Sequence, residues 1–204
     1  MTLTRQSLTD GLLAELDSFG DLVRGLSDEE WAAPSRCADW SAGDVAAHLI
    51  GTMADIAAGR FDGLGTPEVT QREVDERRGR SPKELADECV ETRQAAAGLL
   101  PMFDEAAWDG PAPGGFDGTV GDAVEALWFD AYVHADDIRA ATGRQTEIGP
   151  GLEAAKAHVG KELAKLGWHG ELPTADRDAH AFVLAATGRA PADSVAGNPP
   201  NIYA

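Results

Sequence analysis

A chain of 204 residues can form one domain of ordinary size with a short appendage, and a hydrophobic fraction of 43% excludes a disordered chain. Seventeen basic against 35 acidic residues give a formal net charge of -18, which repels phosphate backbones and anionic bilayers. Nucleic acid and membrane are therefore not expected as partners.

No apolar run is long enough to cross a bilayer, and the first ten residues lack the regions of a signal peptide. Cys37 and Cys89 form neither a disulfide framework nor a C-x-x-C motif, so a reduced, cytoplasmic setting is expected. Ala-rich stretches with few β-branched runs favour helix.

Leu8, Leu12, Leu16, Phe19, Val23 and Leu26 recur at intervals of three and four, which predicts a helix over about 4–26. Ser27 with Glu30 forms a capping box for a short helix ending near Pro34, and 35–40 reads as a loop. Ser41 with Asp44 opens a second long helix whose apolar face carries Val45, Leu49, Met53 and Ile56. Gly59 to Pro67 breaks the pattern, and Glu68 to Arg78 reads as a charged, exposed helix. Ser81 and Pro82 open a third long helix with Leu85, Val90 and Leu99, ending before Pro101. After a Pro/Gly-rich loop at 110–118, Thr119 with Asp122 opens a fourth, which runs to Gly143.

Four long helices predict an all-α antiparallel four-helix bundle over 1–147. Residues 148–204 are expected to form a short, mainly helical C-terminal extension packed on it, with helical pattern at 152–166 and 179–187. The tail around Asn198–Asn201 reads as irregular.

The chemistry concentrates in the fourth helix. Ala123, Asp130, His134, Asp137 and Ala141 share one stripe, flanked by Leu127, Val133 and Ile138. A buried carboxylate and imidazole need partners, and spacing of four aims both at one place. Two readings follow: two arms of a metal site, or a buried ion pair. A third arm from another helix is best supplied by His48, which interrupts an apolar face. His158, His169 and His180 lie in the extension without paired spacing. Trp31, Trp40 and Trp128 read as core or lid, and Cys37 as a small loop residue, a nucleophile or a fourth ligand. The Arg72–Arg80 cluster is either a solvated face or a contact for an acidic co-substrate.

The stretch from Cys37 to Gly51, with Trp40, Ser41, Asp44, His48 and Leu49 in their positions, resembles a signature of the mycothiol-dependent maleylpyruvate isomerase family, among the DinB/YfiT-like metal-binding bundles. A second motif, Asp130, His134 and Asp137, is similar to the family's Glu-His-Asp pattern, with Asp130 in place of Glu. Arg80–Leu85 and the two turns Thr142–Arg144 and Thr187–Arg189 add to the likeness, which spans residues 3 to about 190.

The resemblance implies a two-His, one-carboxylate site for a divalent metal, usually Zn2+, made by His48, Asp130 and His134, and a low-molecular-weight thiol, mycothiol, as co-substrate. Asp130 is one methylene short of Glu, so the helices must approach more closely or a water must bridge. The chain also lacks room for the further α/β domain of the isomerase itself, so maleylpyruvate is not the expected substrate.

Three protein ligands leave an open position, where a cation favours a thiolate that attacks a small electrophile. The expected function is thus an S-transferase or isomerase. The alternatives are a hydrolase or lyase using zinc-bound water, or a non-catalytic metal-binding stress-response module. Asp137, one turn beyond His134, is the candidate for orienting that imidazole. Asp44 more simply supports its helix start. Bundles of this kind often form homodimers, although no exposed apolar stripe argues for one here.

Overall fold

The computed structural model describes residues 3–204, and its regular elements are helices. Side-chain caps fix most of their starts. α1 (Arg5–Arg24), α2 (Asp28–Trp31), α3 (Ala42–Ala57), α4 (Pro67–Asp75), α5 (Pro82–Leu99), α6 (Glu105–Trp108) and α7 (Val120–Ala141) each follow a Ser, Thr or Asp whose side chain accepts a backbone N–H of the first turn. α8 (Pro150–Lys165) and α9 (Asp176–Ala186) begin without such a cap.

α1, α3, α5 and α7 form the bundle. Arg24 pairs with Asp87 and Arg93 with Asp17, so α1 and α5 are antiparallel. His48 of α3 faces the middle of α7, while Cys37, just before α3, reaches Asp137 near the end of α7; these two are also antiparallel. Leu8 and Leu12 cluster with Val120 and Val124, and Phe19 and Val23 with Ala135 and Ile138, so α1 and α7 run the same way. It follows that α3 and α5, consecutive long helices, are parallel. A parallel pair needs a return crossover, and residues 58–81 supply it.

That crossover contains α4, which packs against α3. The sequence expectation of an exposed helix fails here: Glu73, Val74 and Arg77 are buried. The arginine cluster is a solvated face only in part: Arg78 is exposed and Arg77 is buried. Arg72 pairs with Asp55, and Arg77 and Arg80 with Glu88, which leaves none of these three for an acidic co-substrate. On α5 the inward residues are Leu85, Ala86, Cys89, Thr92 and Ala96, whereas Val90 faces solvent.

Small residues set the distance between α3 and α7. Ala42, Ala46 and Ala47 of α3 cluster with Ala131 and Ala135 of α7, all buried. On its other side α7 turns Phe129, Tyr132 and Val133 to Leu152, Val159 and Leu163 of α8 and to Phe182 and Val183 of α9. α7 is therefore packed between the bundle and the layer of α8 and α9, so buried polar side chains along it must find partners within the protein. The tail is irregular, yet Ile202 donates its N–H to the Ala186 carbonyl, which brings the chain end back to the bundle.

Candidate metal centre

His48 and His134 meet edge to face, with ring centroids 5.2 Å apart. Both turn Nε2 to Asp130: His134 Nε2 lies 3.3 Å from Oδ1, and His48 Nε2 lies 3.8 Å from Oδ2. Two donors bonded to one tetrahedral zinc at about 2.1 Å stand about 3.4 Å from each other. The short Asp130 side chain stands near both imidazoles, across a packing of α3 on α7 that includes buried alanines from each. The three side chains fit a single divalent cation between them.

Each imidazole is held from behind. His48 Nδ1 lies 2.9 Å from Glu73 Oε2, which also accepts from the Thr52 hydroxyl. His134 Nδ1 lies 3.1 Å from Asp137 Oδ2. A carboxylate only accepts, so both Nδ1 atoms carry hydrogen. With Nδ1 so committed, Nε2 is the nitrogen that can ligate, the arrangement that orients histidines at metal sites. Glu73 is 1% exposed, and its Oε1 has no hydrogen-bond partner among the described residues.

The electrostatics favour positive charge at the centre. Burial resists ionisation of Asp130, but the charge and hydrogen bond of His134, then His48 and Arg189, outweigh it and hold the carboxyl well below its usual range. Burial likewise resists protonation of His134, yet Asp130, Asp137 and Cys37 carry it well above the usual histidine range.

Asp137 is fully buried and fully engaged: Arg189 donates to it through Nε and Nη2, at 2.8–3.0 Å, and Cys37 Sγ lies 3.4 Å away. Its neighbour Asp136 takes Arg36, Thr146 and His180. Asp44 serves the start of α3, accepting from the backbone and hydroxyl of Ser41.

Two residues in this arrangement were missed in the sequence. Glu73 had no signal in its own charged helix; the signal was Gly51, where a Cβ would stand 2.6 Å from the Glu73 Cβ. Only glycine lets α4 settle that closely beside His48. Arg189 had a signal in the repeated Thr-Gly-Arg turn. In both copies a left-handed glycine (Gly143, φ 67; Gly188, φ 71) ends the helix, and the arginine folds back onto a carboxylate. Arg144 meets Glu30, and Arg189 meets Asp137. Trp128 is core, while Trp40 stands beside His48, ring centroids 5.3 Å apart.

The donors line a cavity of about 900 Å³. Asp130 keeps 25% of its side-chain surface accessible although it sits mid-way along the central helix, because that surface faces the cavity. The donor set is closed behind by Glu73 and Asp137 and open in front.

Residues 12–139 match the family model of the mycothiol maleylpyruvate isomerase N-terminal domain. Curated relatives include uncharacterized proteins from two strains of Mycobacterium tuberculosis, each 26% identical over 161 residues, covering 72% of this chain and 76% of theirs. The crystal structure of the mycothiol-dependent maleylpyruvate isomerase aligns with a TM-score of 0.61 at 16% identity, over 84% of this chain and 77% of that one. A mutant of that enzyme aligns over the same shares with a TM-score of 0.58. At such identity the structural likeness is one of fold, which is that helical fold with helices added beyond the bundle. Since the family match takes in more than half of the chain, including His48, Asp130 and His134, the protein belongs to the mycothiol maleylpyruvate isomerase N-terminal domain family.

Proposed function

We propose that this protein is a metal-dependent enzyme that uses mycothiol to transfer to, or isomerise, a small electrophile. The observation that carries the reading is the pair of histidines, each fixed at Nδ1 by a buried carboxylate and turned by Nε2 to Asp130 at the wall of a large cavity. A divalent cation bound there, zinc by the character of two imidazoles and one carboxylate, favours the thiolate form of a thiol brought to it.

The protein's own residues do the rest. Glu73 and Asp137 hold the tautomer and angle of the two imidazoles, Arg189 holds Asp137, and Trp40 walls the cavity beside His48. The openness of Asp130 to the cavity favours a catalytic over a structural centre, since structural zinc sites are closed. Membership of the mycothiol maleylpyruvate isomerase N-terminal domain family, with the fold shared with the solved mycothiol-dependent isomerase, supports mycothiol as the thiol.

The test pairs metal analysis with turnover. Wild-type protein should hold about one zinc per chain and consume mycothiol with an electrophile; His48→Ala should lose both. Stoichiometric zinc retained in His48→Ala would overturn the assignment of the site.

A further inference from the structure

The cavity is chemically lopsided. Towards the end of the bundle where α3 finishes and α7 begins, its lining includes Met53, Ile56, Phe61, Phe103, Phe116 and Leu127. These come from α3, from the two glycine-rich loops, from the chain after α5 and from α7, so several unconnected segments converge to make one apolar chamber. Asp130 and His48 stand at its inner limit.

Apart from the proposed metal centre, and among the described residues, no cation on the wall is free to receive an anionic group. The lysine and arginine residues on the cavity wall are Arg36, Lys165 and Arg189. Arg36 is held by Asp136, and Arg189 by Asp137. Lys165 lies at the rim between Glu162 and Asp117. His158 stacks on Phe129, and burial lowers its tendency to take a proton. A carboxylate seated in the chamber away from that centre would lose hydration without a partner, in a protein already at -18.

We infer that the electrophile is an uncharged apolar molecule, aromatic or branched aliphatic, seated in this chamber with its reactive end turned to His48 and Asp130. A small dicarboxylate is the wrong occupant. The polar side of the cavity, by Arg36, Arg189 and Lys165, is left for the sugar-borne thiol. The inference rests on the reading of the cavity as the site of thiol chemistry, and it names the substrate class that Phe116 and Leu127 select.

The experiment compares one ring system with and without charge. Binding of 2-naphthalenemethanol and of 2-naphthoate to the full chain is measured by calorimetry after chelator treatment, so that a carboxylate–metal bond contributes nothing. The neutral compound should bind at least tenfold more tightly. Phe116→Asp, on an exposed loop, and Leu127→Gln should each weaken it about tenfold, with melting temperatures recorded to show that both fold. Equal or tighter binding of 2-naphthoate overturns the inference, and so does neutral binding that neither folded variant changes.

Turnover separates this failure from that of the parent reading. Mycothiol consumption with anionic electrophiles alone removes the apolar chamber as the substrate site and leaves the thiol chemistry standing. Neutral-ring binding in a protein that holds no metal and consumes no thiol keeps the chamber and removes the enzyme.

Discussion

Glu73 and Gly51 act as a pair: the glycine leaves the space that lets a carboxylate from the crossover reach His48 Nδ1. Glu73→Ala should lower metal affinity about 10–100-fold, as loss of such supporting carboxylates does elsewhere. Gly51→Ala should act in the same direction and also destabilise by about 1–3 kcal/mol, because its new Cβ overlaps Glu73. Competition with a chromogenic chelator reads the first effect and denaturant unfolding the second; a Gly51→Ala protein with wild-type affinity would contradict the packing argument. The two cysteines should also part company. Burial, with the charges of Asp17 and Glu88 adding to it, pushes the Cys89 thiol up to about 12, so it should resist alkylation at pH 8 until the protein unfolds. Cys37, on the cavity wall, should account for labelling of the native protein.

At the scale of elements, α7 depends on its first turn. Thr119 and Asp122 cap each other's backbone, and Lys161 of α8 reaches both Asp122 and the buried Glu125. Thr119→Ala should cost about 1 kcal/mol. Burial resists ionisation of Asp122, but its hydrogen bonds to Thr119 and Lys161 lower its pKa to about 2. A carboxyl whose pKa falls on folding stabilises the folded state above its unfolded value, and that stability drains away as pH drops towards 2. Asp122→Asn should therefore flatten the stability profile between about pH 4 and 2, relative to an unfolded Asp near 3.9. An unchanged acid limb would refute the assignment.

The helices were legible because their caps are local: Ser27, Ser41, Ser81 and Thr119 each announce a start within four residues. The stripe Asp130, His134 and Asp137 was legible for the same reason, being one face of one helix. What lay hidden was non-local. The partners of the charges on α4 and on the turn after it sit on α3 and α5, so this stretch looked solvated while Glu73 and Arg77 were buried. His180, unpaired by spacing, closes on Asp136 from a helix far along the chain.

Across the whole molecule, one long helix, α7, joins three things: the bundle core, the candidate centre and the layer formed by α8 and α9. Phe182, fully buried in that layer, should lose about 3–5 kcal/mol on change to Ala, whereas Val90→Ala on the exposed side of α5 should stay within about 0.5 kcal/mol. The arginine that steadies Asp137 follows α9, so loosening that layer should also weaken metal binding. Phe182→Ala tests this when metal affinity is measured under conditions where the variant stays folded.

On the proposed function, His48, Asp130 and His134 hold a cation open to a thiol, and cobalt-substituted protein titrated with mycothiol reads this out. A sulfur-to-cobalt charge-transfer band should grow in the near ultraviolet in wild type and be absent in His48→Ala and Asp130→Ala. A cobalt spectrum unmoved by mycothiol, or a band that survives loss of His48, would contradict it.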